Sequence, residues 1–75
     1  MHITDTVGGV TVSTVQLPSG RYETCLFDDR AGIAPRNPSH VVATGMTRND
    51  AINEHVRWVN THPSALYSTI ANRTY

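Results

Sequence analysis

The sequence predicts an α+β fold in which an antiparallel sheet of three to four strands packs against one amphipathic helix, in the order β-β-β-α. The first half of the chain is rich in β-branched residues and is interrupted by turn signals, which is typical of strands. The second half carries apolar residues at helical spacing between a capping signal and a proline. A chain of 75 residues is long enough for one domain, residues 1–75, and too short for two.

The first two main strands are predicted to form a hairpin. Residues 10–17 are β-branched and threonine-rich, and residues 21–28 follow a turn signal at residues 18–20. The apolar alternation changes phase within the first strand. This indicates either that both faces of the sheet are partly covered or that a β-bulge lies near Ser13 and Thr14.

The second strand carries large apolar groups on both of its faces. Tyr22 and Leu26 share one face, and Cys25 and Phe27 share the other. A sheet covered by one helix usually keeps its second face polar. We therefore expect this sheet to meet a second copy of itself, and a homodimer is the working prediction.

The remaining sheet elements lie on either side of this hairpin. A glycine pair at residues 8–9 can turn an additional edge strand, residues 3–7, against the first main strand; the alternative is a loose N-terminus over residues 1–9. Residues 29–39 contain glycine, proline and asparagine and are predicted to form a loop. A third main strand is predicted over residues 40–45.

A capping box provides the clearest local signal in the sequence. The Thr47 side chain can accept the backbone N–H of Asp50, and Asp50 can reach back to the Thr47 N–H. A helix is therefore predicted from about Arg48 to Asn60. Its apolar stripe, expected to face the sheet, and the residues that flank it are as follows: Ile52, Val56 and Val59, flanked by Ala51, His55 and Trp58.

The C-terminal part of the chain is predicted from one proline. Pro63 ends the main helix near residues 60–62 and can open a short second helix, in which Leu66 and Ile70 lie one turn apart. Residues 72–75 are predicted to form a loose tail.

Composition disfavours several functional classes. Six basic residues balance six acidic ones, so the formal charge is zero, whereas strong non-specific binding to nucleic acid usually needs a basic surplus. No apolar run approaches the roughly 20 residues of a membrane span, and the N-terminus has no secretory pattern. A single thiol, Cys25, without such a pattern indicates a reducing cytoplasm.

No constellation typical of an enzyme or a metal centre is present, so no catalytic residue, metal or cofactor is predicted. Cys25 lies within a strand, where a buried and inert thiol is expected. A single cysteine cannot form a Cys-Cys zinc motif, and no two histidines have the close spacing of one. The histidines are His2, His40, His55 and His62. His55 is predicted to be structural and to hydrogen-bond Glu23 on the underlying strand; Thr47 and Asp50 are also assigned structural roles.

Two surfaces are candidates for binding. Trp and Arg are the residue types most enriched at interface hot spots, so Trp58 with Arg57 is the predicted contact patch, next to Asn53 on the polar face. Filling of the core by Trp58 is an equal alternative. The second candidate is a phosphate site where three arginines flank the long loop and the helix start: Arg30, Arg36 and Arg48. The acidic Asp28 and Asp29 adjoin that loop and would cancel much of its field.

Three motifs follow one another in order within residues 10–60: Val12-Ser13-Thr14-Val15-x-Leu17, Tyr22-Glu23-Thr24-x-x-Phe27 and Thr47-x-x-Asp50-Ala51-x-x-x-His55. This ordered set resembles a group of small uncharacterised proteins encoded by actinobacteriophages, including mycobacteriophages. The resemblance implies a phage origin and a shared fold, and it implies no activity. Many members carry a longer Gly- and Pro-rich insertion with an Asp-His pair between the first two strands. This chain has only the short turn at residues 18–20 in its place.

These observations predict a non-enzymatic phage accessory protein that acts through protein–protein interaction in the host cytoplasm, with a host protein or a phage protein as partner. The alternative is a nucleic-acid-binding regulator that uses the arginine-bearing loop and the helix N-terminus. Salt-sensitive binding to DNA or RNA that is lost on replacing these arginines would favour the alternative.

Overall fold

The computed structural model describes residues 2–30 and 38–72, which form a four-stranded antiparallel sheet followed by two helices. The strands are neighbours in chain order, β1-β2-β3-β4. The elements are β1 (His2–Val7), β2 (Val10–Gln16), β3 (Tyr22–Asp28), β4 (His40–Met46), α1 (Arg48–Val59) and α2 (Pro63–Ala71). The predicted α+β class is confirmed. The N-terminal segment is a strand, and the short second helix forms.

The sheet is regular in its first three strands and irregular in its fourth. In β2 and β3, Ser13 pairs with Cys25 and Thr14 pairs with Thr24, without a shift of register. Of the two alternatives, the bulge near Ser13 and Thr14 is therefore wrong, and the register shifts lie between β3 and β4, at residues 22–25 of β3. The other alternative holds, because buried residues of β2 lie on both faces of the sheet.

Both helices cover the same face of the sheet and close one small core. A cluster of buried apolar side chains joins the sheet to α2: Val10, Val12, Leu26, Leu66 and Ile70. Half-buried side chains pack around it: Val7, Val42, Trp58, Val59 and Tyr67. The one-turn spacing of Leu66 and Ile70 thus places both residues of α2 in the core.

Helix α1 is rotated relative to the orientation that the apolar pattern predicted. Ala51 and His55 are the buried residues of α1, whereas Ile52 is 37% exposed and Val56 is 52% exposed. The prediction that Ile52 and Val56 face the sheet is wrong. Val59 is half-buried and packs against the core, so only the last residue of the stripe lies where it was expected.

The two helix starts use different caps. The backbone N–H of Asp50 donates to Thr47 Oγ1 at 3.3 Å, and α1 begins at Arg48 as predicted. Helix α2 begins at Pro63, and the N–H of Ser64 donates to His62 Nδ1 at 3.2 Å. A histidine cap has no common sequence signature, whereas the proline at the first helical position is a familiar signal.

The second face of the sheet carries Glu23, Cys25 and Phe27 and is not covered by α1 or α2. Cys25 is buried, Phe27 is half-buried, and Val41 on the same face is 44% exposed. Within the part of the chain that the structure describes, no helix is long and apolar enough to span a membrane. Much of the predicted loop, residues 31–37, and residues 73–75 of the predicted tail lie outside the described residues.

Candidate functional site

A chain of hydrogen bonds runs from the surface into the core through His55. Its Nε2 lies 2.8 Å from Asp5 Oδ2, and its Nδ1 lies 2.7 Å from Thr14 Oγ1. Thr14 Oγ1 lies in turn 2.7 Å from Thr24 Oγ1. Because a carboxylate only accepts, the Nε2–H of His55 donates to Asp5, and a neutral ring then accepts the Thr14 hydroxyl proton at Nδ1.

This network corrects the predicted partner of His55. The structural role assigned to His55 agrees with its burial in the network, but Glu23 does not contact it. Side chains alternate along β3, so Glu23 lies on the uncovered face while Thr24 lies beneath the helix. On that face Glu23 Oε1 accepts from Cys25 Sγ at 3.2 Å, and Oε2 accepts from Thr44 Oγ1 at 3.2 Å.

The order Asp5–His55–Thr14 has the composition of a hydrolase triad but the reverse accessibility. In a working triad the hydroxyl faces the substrate and the carboxylate is buried. Here the Thr14 side chain is fully buried, whereas the Asp5 side chain is 51% exposed. Among residues 2–30 and 38–72 there is no cavity that could bring a substrate to this hydroxyl. The network is suited to holding α1 on the sheet.

The single thiol is held in an unreactive state. Burial, followed by the hydrogen bond to Glu23 and the charge of that carboxylate, raises the pKa of Cys25 to about 12. A thiol is nucleophilic only as the thiolate, so Cys25 stays inert at neutral pH. Within the described residues, no three side chains of His, Cys, Asp or Glu are grouped closely enough to hold a metal ion.

The predicted contact residues Arg57 and Trp58 meet on one flank of α1, where both touch Glu54. The Arg57 guanidinium lies 5.2 Å from the centre of the Trp58 ring, and its Nη1 lies 3.3 Å from Glu54 Oε1. The Trp58 Nε1–H donates to the same carboxylate oxygen at 2.7 Å. We call Glu54, Arg57 and Trp58 the Arg57–Trp58 patch. Asn53 is a neighbour of Arg57 but points away from Trp58, because five residues correspond to about 140° around a helix.

Two of the three arginines predicted to form a phosphate site, Arg30 and Arg48, lie far apart. Arg30 donates to both carboxylate oxygens of Asp28, from Nε at 2.8 Å and from Nη2 at 2.6 Å, and it stacks 4.1 Å from the centre of the Tyr67 ring. These bonds lower the pKa of Asp28 to about 2. Arg48 is exposed at the start of α1, near Tyr22 at the beginning of β3, whereas Arg30 follows the end of β3. Arg36 lies outside the described residues.

Comparison with known proteins gives no match for this chain. No protein-family model, no curated protein and no solved structure matches it. Its function is therefore inferred from its own side chains.

The structure also exposes a surface that the sequence pattern assigned to the core. Ile52 and Val56 lie outside, one helical turn apart, and three exposed asparagines surround them. We call this surface the amide strip; its residues are Asn49, Ile52, Asn53, Val56 and Asn60. The signal that could have revealed it is the pairing of two threonines in the middle of the sheet. Their buried hydroxyls need a further polar partner, and α1 supplies His55 in an orientation that leaves Ile52 and Val56 outside.

Proposed function

We propose that this protein is a non-enzymatic phage accessory protein that acts by binding another protein, of the host or of the phage, in the cytoplasm of the infected cell. The observation that carries the proposal is the exposed Arg57 guanidinium stacked on the half-buried Trp58 indole. Arg and Trp dominate the few residues that supply most of the energy of protein interfaces. The resemblance to small actinobacteriophage proteins supports the phage origin.

The Trp58 ring of the Arg57–Trp58 patch is held in place before a partner binds. Glu54 accepts from both Arg57 and Trp58, and the inner edge of Trp58 packs against the core. The Arg57 side chain is nevertheless 69% exposed. A partner that docks here meets a Trp58 ring already held by Glu54 and the core, which avoids roughly 0.5–1.5 kcal/mol of ordering cost for that side chain.

The remaining chemistry of the described residues supports a binding role over a catalytic one. The hydroxyl of the Asp5–His55–Thr14 network is sealed in the core, and the pKa of the Cys25 thiol is raised to about 12. The charge of Arg30 is neutralised by Asp28 at 2.6 Å, which weakens the predicted phosphate site. A protein partner is therefore favoured over nucleic acid.

The test is affinity capture from an actinobacterial host lysate, with and without nuclease, followed by mass spectrometry. Arg57→Ala removes the exposed half of the patch without disturbing the core. Arg48→Ala is the matched control, because Arg48 is an exposed arginine at the other end of the same helix. We expect a specific protein that survives nuclease, is retained by Arg48→Ala and is lost with Arg57→Ala.

Two results would contradict this proposal. Capture that disappears with nuclease and with Arg48→Ala would favour the nucleic-acid alternative. Capture that is unchanged by Arg57→Ala would place the binding surface elsewhere on the chain. Lysate from infected cells supplies phage-encoded partners and is run in parallel.

A further inference from the structure

The amide strip of α1 carries no charge over three helical turns. The charged residues of the helix lie elsewhere on its circumference: Arg48, Asp50, Glu54 and Arg57. Ile52 and Val56 are among the large apolar residues that the described part of the chain leaves exposed. The side-chain amides of Asn49, Asn53 and Asn60 form no hydrogen bond with any described residue. The strip therefore offers apolar surface and unused amides to a partner.

Four of the five residues of the strip follow an order of residue types that is the same in both directions along the helix, with spacings that differ by one residue. Asn49, Ile52, Val56 and Asn60 follow in the order amide, apolar, apolar, amide, at intervals of three, four and four residues. An amide has a donor and an acceptor and can pair with another amide, whereas a charged side chain repels its own copy. In a two-fold symmetric interface each surface meets an identical surface, so it must be self-complementary.

We infer that the amide strip is a self-association surface on which α1 of a second copy of this chain packs antiparallel to α1 of the first. Ile52 of each protomer packs on Val56 of the other, and Asn49 of each faces Asn60 of the other. The two-fold axis passes close to residue 54. Helices pack at 8–10 Å when their contact side chains are of this size. The Arg57–Trp58 patch lies on a different flank of α1, so this inference does not depend on the proposed function.

The uncovered face of the sheet, where the sequence predicted the dimer contact, is less suited to this role. Several of its polar groups already have partners: Glu23 accepts from Cys25 and Thr44, and His2 Nε2 lies 3.2 Å from Ser13 Oγ. Its thiol is buried. Within the described sheet, Val41 is the one large apolar residue of this face that is exposed.

The first experiment measures oligomeric state by sedimentation equilibrium up to about 1 mM, because one pair of short helices buries less than the roughly 1,200 Å² of a stable interface. The variants are Val56→Lys on the strip and Val41→Lys on the sheet, two valines of similar exposure at 52% and 44%. We expect a concentration-dependent dimer that Val56→Lys abolishes and Val41→Lys retains. A wild-type monomer at the highest concentration would overturn the inference. So would a dimer that is lost only with Val41→Lys.

The second experiment tests the antiparallel arrangement by oxidative cross-linking of single cysteine variants. With the axis near residue 54, two copies of position 53 are about 4 Å apart along the helix axis, and two copies of position 60 are about 17 Å apart. Asn53→Cys should therefore form a disulfide-linked dimer at least about tenfold faster than Asn60→Cys. Equal rates, or a faster Asn60→Cys, would exclude the antiparallel packing. The native Cys25 does not compete, because it is buried.

Discussion

His55 Nε2 lies 2.8 Å from Asp5 Oδ2, and 50 positions of sequence separate the two residues. This hydrogen bond connects α1 directly to β1, the edge strand that has a sheet neighbour on only one side. The same imidazole reaches Thr14 on β2. One histidine thereby fastens the helix to two adjacent strands and holds the N-terminal strand in place.

The buried network should be sensitive to loss of a single hydroxyl. Thr14→Val keeps the shape of the side chain but leaves His55 Nδ1 and Thr24 Oγ1 without their shared partner, so we expect a loss of about 1–3 kcal/mol in the free energy of unfolding. Urea unfolding followed by circular dichroism measures this loss. The control is Thr6→Val on β1, an exposed position, which should change stability by less than about 0.5 kcal/mol. Equal effects would show that the network contributes nothing.

The thiol of Cys25 should be protected in the folded protein. Its pKa is about 12, so at pH 8 we expect reaction with Ellman's reagent to be slow until urea unfolds the chain. Ser19→Cys, in the exposed turn between β2 and β3, is the control and should add one rapidly reacting thiol. Rapid reaction of the wild type under native conditions would contradict the burial of Cys25.

The same thiol should make stability depend on pH in the alkaline range. The unfolded thiol ionises near its ordinary pKa of 9.0, whereas the folded thiol keeps its proton to about 12. The folded state thus binds more protons over this interval, and stability falls as pH rises from 9.0 towards 12. Cys25→Ala should remove this part of the dependence. An identical alkaline profile for the variant would refute the prediction.

The pairing of Asp28 with Arg30 should be visible in an acid titration. The pKa of Asp28 is lowered from 3.8 to about 2 by its hydrogen bonds to Arg30, so its stabilising effect is present above pH 3.8 and is lost as pH falls towards 2. A carboxyl carbon NMR titration measures the pKa directly. Arg30→Ala should return it towards 3.8, whereas Arg21→Ala, which alters an exposed arginine elsewhere, should not. If the pKa of Asp28 were unchanged in Arg30→Ala, the pairing would be contradicted.

The turn between β1 and β2 should tolerate no side chain at Gly8. Its φ is +54°, and a Cβ added there would lie 2.6 Å from Cβ of Pro63 on α2. Gly20 also has positive φ, +89°, but a Cβ there meets nothing within 4 Å. Gly20→Ala should cost about 1–2 kcal/mol from backbone strain alone, and Gly8→Ala should cost clearly more. Thermal unfolding compares the two variants, and equal losses would mean that α2 does not pack against this turn.

Local signals predicted much of the fold. The α1 start depends on Thr47 and Asp50, three residues apart, and the β2–β3 hairpin depends on the turn at residues 18–20. The start of α2 follows from Pro63. Each of these features depends on groups within a few positions of one another, so a single sequence is sufficient to reveal it.

The orientation of α1 and the partner of His55 could not be predicted in this way. Periodicity placed Ile52 and Val56 inside because apolar burial is the usual outcome. The sheet register, however, sets Thr14 opposite Thr24, and their hydroxyls are buried beneath the helix. The two hydroxyls bond to each other, and one of their protons still needs an acceptor, which His55 Nδ1 supplies when the helix turns it inward. That requirement arises between residues 41 positions apart, and it exists only once the strands have paired.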